Sequence, residues 1–435
     1  MKMMRLSQHP MLEDKVRVWK TLVVFLSFAS HGFGFGVVGP TMLDLQISTR
    51  STLQQIGYMV PSRALGIAAG AMLCNMILRK LDIQLVMGIV LAIAAILQVL
   101  IPYSSTWWLV SLLFALTGLC FGILENCCNV FVVRMWGQDC PAIMQVLYFF
   151  IGLGAGISPL IVRPLLLQAT SEADQLRFKP EDVRVHYAFI VIGIELTVAA
   201  VACYLIAIKY PEKKRGHERE NDAPDNLDQV SGTRVQKLLL WSSFVSAMAF
   251  MFLVCGLEVS MGAYIMPYAL KADIRVDKRT GALMQSMYWL VFTTGRLVTC
   301  FYINYVGPRN NTLISLLTCL IGAVILTPWS KTSVICMWMG SMIMSLGLSP
   351  MWGNLFGYIQ LMLPSHTDLL TPFLITSACI GECVIPILVS IFIDSYYMSF
   401  IYIMCFFTLM MCFSFIIVCL LGSLYVSKQK QLTVT

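Results

Sequence analysis

The stretch from Gly118 to Gly137, GLCFGILENCCNVFVVRMWG, carries one carboxylate in the middle of an apolar run. At helical spacing, Gly118, Gly122, Glu125 and Asn129 share one face of a helix. A carboxylate inside an apolar span is costly, so it marks a functional site by default. We therefore interpret this stretch as a membrane-spanning helix with a functional face, and we ask which other residues surround that face.

The composition is that of a protein with many membrane-spanning helices. The chain has 435 residues, of which 58% are hydrophobic and only 12% are charged, whereas about a quarter of the residues in a soluble protein are charged. Many apolar runs reach the roughly 20 residues that cross a bilayer. The net charge of +7 follows the loops rather than one basic surface, so we expect a lipid bilayer and no nucleic acid as partner.

Twelve apolar segments predict twelve transmembrane helices, and one polar segment divides them six and six. The predicted helices are 18–42, 53–78, 84–103, 106–133, 142–167, 187–209, 238–270, 281–305, 310–329, 333–361, 369–395 and 399–425. The segment that divides them is highly charged and poor in apolar residues, which is typical of a flexible linker. The predicted organisation is a tail, a six-helix bundle, a linker, a second six-helix bundle and a tail, over residues 1–17, 18–209, 210–237, 238–425 and 426–435.

The distribution of lysine and arginine predicts the orientation. Eighteen of these residues fall at the side of the membrane that carries both termini, and nine at the other side. The positive-inside rule therefore places both termini in the cytoplasm. Asn310–Thr312 is a glycosylation sequon, and we expect it to be unmodified because it falls in a predicted cytoplasmic loop. We expect the plasma membrane in preference to an organelle membrane.

Five motifs resemble one family of membrane proteins. They are NVFVVRMWGQDCPAIMQVLYFFIGLGAGISPLI (129–161), GPTMLDLQ (39–46), GLEVSMGAY (256–264), TTGRL (293–297) and SACIGECV (377–384). In these motifs the chain resembles the major facilitator superfamily, in particular its domain-containing protein 4 and sodium-dependent glucose transporter group, and more distantly the fucose permeases. The resemblance covers most of the chain outside the termini and the central loop. It implies an all-α fold of two six-helix halves, a monomer, and symport of a sugar with sodium or a proton by alternating access.

The resemblance also gives Glu125 a role. The motif ENCCN, which begins at Glu125, occupies the place of the fucose permease motif that carries the carboxylate of proton coupling. The first-helix aspartate of those permeases would fall at Gly36, so this chain lacks it, and Asp44 lies nearer the outer end of the helix. We therefore expect Glu125 to couple alone, or with His31, Asp44 or Glu258.

Polar residues inside the predicted helices provide the candidate site. An amide both donates and accepts hydrogen bonds, which suits a sugar hydroxyl, and the face of a tryptophan suits the C–H surface of a sugar. The candidates for binding substrate or ion are Glu125, Asn129, His31, Asp44, Glu258, Asn354 and Trp352. Each has a structural alternative: an ion pair between helices, a packed histidine, a helix cap or aromatic packing. The candidates for an interhelical pair or a gate are Arg63, Glu382, Arg134 and Arg296, with Arg63 expected to pair with Glu382.

No catalytic constellation is visible in the sequence. We find no nucleophile triad, no phosphate-binding glycine loop and no metal-ligand spacing, so we expect neither an enzyme nor a cofactor nor a metal site. The predicted function is secondary active transport of a hexose-like sugar coupled to sodium or a proton. Transport of another small polar solute on the same fold, and a non-transporting membrane sensor or scaffold, stay open as alternatives.

Overall fold

The described part of the chain consists of helices joined by short turns. The computed structural model describes residues 10–136, 140–167, 182–210, 234–272, 276–362 and 367–434, so most of the predicted linker lies outside the described residues. The described residues form fifteen α-helices: α1 (Pro10–Gly36), α2 (Val38–Thr49), α3 (Leu53–Gly57), α4 (Met59–Leu78), α5 (Ile83–Leu100), α6 (Trp107–Trp136), α7 (Cys140–Val162), α8 (Val185–Lys209), α9 (Arg234–Lys271), α10 (Lys278–Val306), α11 (Pro308–Trp329), α12 (Val334–Leu348), α13 (Met351–Met362), α14 (Thr367–Ile393) and α15 (Ser399–Val434).

These helices account for the predicted membrane crossings. Eleven helical segments within the described ranges are long and apolar enough to span a bilayer. We assign the twelfth crossing to α10, which has 29 residues and is less apolar because it buries Gln285, Ser286 and Thr293 against other helices. The prediction of an all-α polytopic membrane protein is therefore confirmed. The last helix continues to Val434, past the predicted boundary at residue 425.

The first and tenth predicted spans each carry a local irregularity. A one-residue turn at Val37 separates α1 from α2, and a turn at Ser349 and Pro350 separates α12 from α13. Pro350 has no backbone N–H, which favours a break at this position. Backbone hydrogen bonds still cross both turns, from Val37 to the carbonyl of Phe33 and from Ser349 to the carbonyl of Ser345, so these positions bend the two spans without separating them.

Glycines bring neighbouring helices into backbone contact. Gly118 and Gly122 of α6 lie against the carbonyls of Arg63 and Ile67 in α4, where a Cβ atom would clash. One turn further along α6, the Asn126 side chain donates a hydrogen bond to the carbonyl of Ala71, 3.1 Å away. The polar face predicted for α6 is therefore divided. Its glycines pack on α4, and Glu125 faces the helices described below.

The described helices form two groups that meet closely toward one end. We call α1–α8 the N-terminal group and α9–α15 the C-terminal group. Within the described residues, hydrogen bonds between the groups lie only from the middle of the helices to the end that carries the α2–α3 turn. At this closed end, the backbone N–H of Gln54 donates to Asp394 at 2.7 Å, and Tyr264 donates to the carbonyl of Gly57 at 3.3 Å.

Substitution of the packing glycines tests this arrangement. Gly122→Ala is expected to lower the thermal unfolding temperature of the detergent-purified protein, because its methyl group would overlap the Ile67 carbonyl, and overpacking of this kind costs about 1–3 kcal/mol. Gly353→Ala in α13 is the matched control, because no atom lies within 4 Å of its added Cβ. Equal unfolding temperatures for the two variants would contradict the close α4–α6 contact.

Candidate functional site

Arg296 of α10 occupies the middle of the C-terminal group. Its Nη2 atom lies 3.8 Å from Oε1 of Glu258 in α9, and its Nε donates a hydrogen bond to the carbonyl of Ser349, 3.2 Å away, at the break between α12 and α13. The side chains of Arg296 and Glu258 are each 17% exposed, although both lie well inside long helices. Arg296 was predicted as a gate or loop contact. The structure instead places it beside Glu258 in the interior.

Glu125 faces the same interior from the N-terminal group. Tyr148 of α7 and Arg296 of α10 both lie near the Glu125 carboxylate, the first from its own group and the second from the other group. Asn129 donates from Nδ2 to the Tyr148 hydroxyl at 3.3 Å. Its Oδ1 is buried and has no hydrogen-bond partner within the described residues. Asn129 therefore has an unused acceptor atom near Glu125, and a hydroxyl group could donate a hydrogen bond to it.

Sequence reasoning missed Tyr148. The Arg296 guanidinium lies 5.8 Å from the centre of the Tyr148 ring, so Tyr148 lies near both Glu125 and the C-terminal group. In the sequence, Tyr148 is one of several aromatic residues in an apolar run. Only the packing of α7 against α10 distinguishes it from a lipid-facing or core tyrosine.

Arg63 of α4 and Glu382 of α14 face each other from opposite groups without a direct ion pair. The two opposite charges attract each other. They are not among the ion pairs within 4.0 Å that the described residues form. Arg63 is 2% exposed, and its guanidinium carbon lies 4.1 Å from the centre of the Phe35 ring. The predicted Arg63–Glu382 contact is thus a proximity of charges rather than a closed salt bridge in this conformation.

The interior cluster carries one more acid than base. Glu125 and Glu258 each repel the negative charge of Glu382. The cluster consists of three carboxylates and two guanidinium groups, those of Glu125, Glu258, Glu382, Arg63 and Arg296. Glu258 has Arg296 within 4.0 Å, and Glu382 has Arg63 as its nearby cation. Glu125 has no ion pair within 4.0 Å in the described part of the chain. An uncompensated buried charge is unfavourable, so the cluster is suited to hold one cation.

Asp44 lies at the closed end and not in this interior. Lys278 at the start of α10 donates to Asp44 Oδ1 at 2.5 Å, and both side chains are fully buried. The backbone N–H of Leu167 donates to the other carboxylate oxygen at 3.3 Å. The expectation that Asp44 binds substrate or ion is therefore replaced by a contact that joins the two groups. Lys278 was missed because it stands in a polar stretch that was counted as an outer loop.

His31 packs inside the N-terminal group. Its ring stacks on Phe121 at 4.7 Å between centres, and it is 2% exposed. Neither ring nitrogen has a hydrogen-bond partner within the described residues. His31 is therefore packed, as the alternative predicted, but its two ring nitrogens are not satisfied by the described residues. The preceding residue, Ser30, donates at 2.7 Å to Glu195 of α8, a membrane carboxylate that the sequence analysis overlooked.

Three further candidates lie outside the interior cluster. Asn354 of α13 is 3% exposed and accepts a hydrogen bond from Asn311 at 3.1 Å, which makes it part of the packing of α11 on α13. Trp352 packs beside Phe356, with ring centres 5.3 Å apart. Arg134 is exposed at the end of α6 that lies away from the closed end. None of these contacts supports the predicted ligand or gate roles.

Two helix groups, a buried charged cluster between them and contacts that close one end define a multi-pass membrane transporter. The chain belongs to the major facilitator superfamily, whose sequence profile matches residues 24–381. This membership confirms the resemblance seen in the sequence motifs, and the chain is accordingly a transporter of small molecules and not an enzyme.

Known proteins of similar sequence and structure agree with this membership. The chain is 23% identical to the human sodium-dependent glucose transporter 1 over 390 residues, which covers 85% of this chain and 73% of that protein. It is 24% identical to major facilitator superfamily domain-containing protein 4A of Xenopus tropicalis over 428 residues, with 85% of each chain covered. Its structure resembles that of a variant of the nucleoside transporter NupG with a TM-score of 0.71 at 11% identity, covering 93% of this chain and 99% of that one.

The Asp44–Lys278 pair can be tested as a lock of the closed end. Removing one partner leaves the other charge buried, and breaking such a pair costs about 3–5 kcal/mol. Asp44→Leu is therefore expected to favour opening of this end, which would speed thiol labelling of the otherwise buried Ser390→Cys by at least about tenfold. The measurement is site-resolved mass spectrometry after treatment with a membrane-impermeant maleimide.

The double variant Asp44→Leu/Lys278→Met is the control for this lock. Replacing both partners of a buried pair by apolar residues is often neutral or stabilising, so the double variant should label slowly, like the parent. Equal labelling of the single and double variants would show that the pair does not hold the end closed.

Proposed function

We propose that this transporter carries a hexose-like sugar together with one cation, sodium or a proton, by alternating access. The observation that carries the proposal is the excess acid in the interior cluster, because Glu125 lies between the two helix groups without an ion pair within 4.0 Å in the described residues. A cation bound at Glu125 would balance the charge of the cluster. The name of the similar human protein, the sodium-dependent glucose transporter 1, supports both a sugar and a coupling ion.

The interior offers hydrogen bonds of both kinds to a sugar. Asn129 Oδ1 is an unused acceptor, Arg296 is a donor that keeps partial exposure, and Glu258 is an acceptor with the same exposure. Sugar hydroxyls donate and accept hydrogen bonds, so a ligand rich in hydroxyls can use all three groups at once. Arg296 and Glu258 belong to the C-terminal group and Asn129 to the N-terminal group, so a bound sugar would contact both groups.

Cation binding at Glu125 would change the interaction between the helix groups. An ionised Glu125 is attracted to Arg296 and repelled by Glu258, and both of these residues belong to the other group. Neutralising Glu125 removes both interactions and leaves the Arg296–Glu258 pair intact within the C-terminal group. The occupancy of Glu125 therefore alters the relative energy of the conformations that bring the groups together or apart, which is the requirement for coupling.

The side of the membrane to which the interior opens follows from the orientation of the chain. With both termini in the cytoplasm, as the lysine and arginine distribution predicts, the closed end is extracellular and the structure is inward-facing. We propose that the protein acts in this orientation, as a monomer, in the plasma membrane.

Uptake into liposomes tests the proposal. Purified protein is reconstituted, and accumulation of labelled D-glucose is measured with the sodium and proton gradients set independently. The parent protein is expected to accumulate the sugar when one of the two gradients is imposed. Glu125→Gln is expected to lose this accumulation and to keep sugar exchange at equal concentrations on both sides, because the amide mimics the neutral acid but cannot release the cation.

Glu195→Gln is the matched control. Glu195 is a carboxylate of the N-terminal group that bonds Ser30 and lies outside the interior cluster, so its variant should still accumulate sugar. Retention of gradient-driven accumulation by Glu125→Gln would sink the proposed coupling role. Uptake of a different solute and not of sugars would reject the substrate class, and binding of sugar without any uptake would favour a sensor.

A further inference from the structure

The short helix α3 lies at the closed end and is bounded by turns on both sides. Its five residues, Leu53–Gly57, lie between the connection at residues 50–52 and the turn at Tyr58 that precedes α4. A helix of this length is not stable by itself, and backbone groups at its two ends have no partner inside it. The partners of these groups therefore decide where α3 is held.

At the start of α3, one backbone N–H is bound by the C-terminal group. Thr52 accepts a hydrogen bond from the backbone N–H of Gln55 at 3.1 Å, which leaves the N–H of Gln54 without a partner from its own helix. Asp394, which directly follows α14, accepts from this N–H with Oδ2 at 2.7 Å. The other carboxylate oxygen of Asp394 accepts from Lys271 at the end of α9, 2.9 Å away. Lys271 therefore positions the carboxylate that binds α3.

At the end of α3, one backbone carbonyl is bound by the same group. In a continuous helix the carbonyl of Gly57 would accept from the N–H of residue 61, but this residue is Pro61, which has no N–H. Tyr264 of α9 donates to the Gly57 carbonyl instead, at 3.3 Å. Gly57 also allows close approach, because a Cβ atom here would lie 2.8 Å from both Ser390 Cβ and Tyr264 Oη. Gly57 and Pro61 together therefore fit α3 to the other group.

We propose that α3 is a latch that holds the closed end, and that its release from Asp394 and Tyr264 is the step that opens this end. The C-terminal group satisfies a backbone group at each end of α3, so separating the groups leaves both without a partner until water reaches them. The Asp44–Lys278 pair joins α2 to α10, so the latch is a second contact, made by other helices. The inference rests on the alternating access proposed above and not on the identity of the substrate.

Thiol labelling of the buried Ser390→Cys reporter tests the latch on the purified full-length protein without any substrate. Ser390 is fully buried against Gly57, so a maleimide reaches the reporter when the closed end opens. Tyr264→Phe leaves the Gly57 carbonyl unpaired and should speed labelling about five- to twentyfold. Asp394→Leu removes the acceptor at the other end of α3 and should speed labelling by a similar factor. Lys271→Met, which only frees the position of Asp394, should have a smaller effect.

Pro61→Ala shows whether Tyr264 acts through the Gly57 carbonyl. The substitution supplies an N–H from which this carbonyl can accept within its own helix. In the Pro61→Ala background, Tyr264→Phe should therefore leave the labelling rate at that of Pro61→Ala alone. A Tyr264 side chain that merely packed at this end would give the same acceleration in both backgrounds.

A second reporter separates opening of this end from loosening of the whole fold. Ser341 is fully buried in α12, and its hydroxyl donates to carbonyls of the same helix, so Ser341→Cys should label as slowly in every variant as in the parent. The latch is overturned if Tyr264→Phe and Asp394→Leu both label Ser390→Cys at the parent rate, or if they speed both reporters equally. It is also overturned if Tyr264→Phe has one effect with and without Pro61. Because no sugar is present, failure of the latch is distinct from failure of the proposed transport.

Discussion

The charge balance between the two helix groups is the constraint on which the rest of this structure depends. Three carboxylates and two guanidinium groups share an interior that water reaches only in part, and Glu125 is the acid without an ion pair within 4.0 Å among the described residues. Charges in such a place need compensation, and the cation that attracts Glu125 is Arg296 of the other group. The position of one group relative to the other is therefore tied to the charge on a single side chain.

The contacts within and between the groups differ in kind, and this difference allows the groups to move as units. Inside a group, glycines such as Gly122 in α6 and Gly381 in α14 lie directly on the backbone of a neighbouring helix, which leaves little freedom for either helix to shift. Between the groups, the closed end is held largely by side-chain contacts such as Lys278 with Asp44 and Phe35 with Trp289. Side-chain contacts of this kind can separate without disturbing the packing inside a group, as rocking about a central site requires.

The sequence predicted the fold and named the three acids of the interior cluster, Glu125, Glu258 and Glu382, but not the contacts that each residue makes. Glu125 and Glu258 were identified because a carboxylate in an apolar helix is rarely placed without a function. Polarity inside an apolar helix also selected His31 and Asn354. The structure packs both within single groups, because polarity alone does not say which face of a helix meets the interior. Partners from distant helices, such as Tyr148 for Glu125 and Lys278 for Asp44, depend on how the helices pack. No local pattern records that packing.

The distance between the groups at the closed end, measured by electron spin resonance, tests the central claim most directly. Spin labels at Ser105 and Tyr396, which are exposed at this end in opposite groups, would report its opening in a background without reactive cysteines. In the presence of D-glucose, the distance distribution of the parent protein should change with the concentration of the coupling cation, whereas Glu125→Gln should give one distribution at every cation concentration. A response of Glu125→Gln equal to that of the parent would show that the charge on Glu125 does not control the arrangement of the two groups.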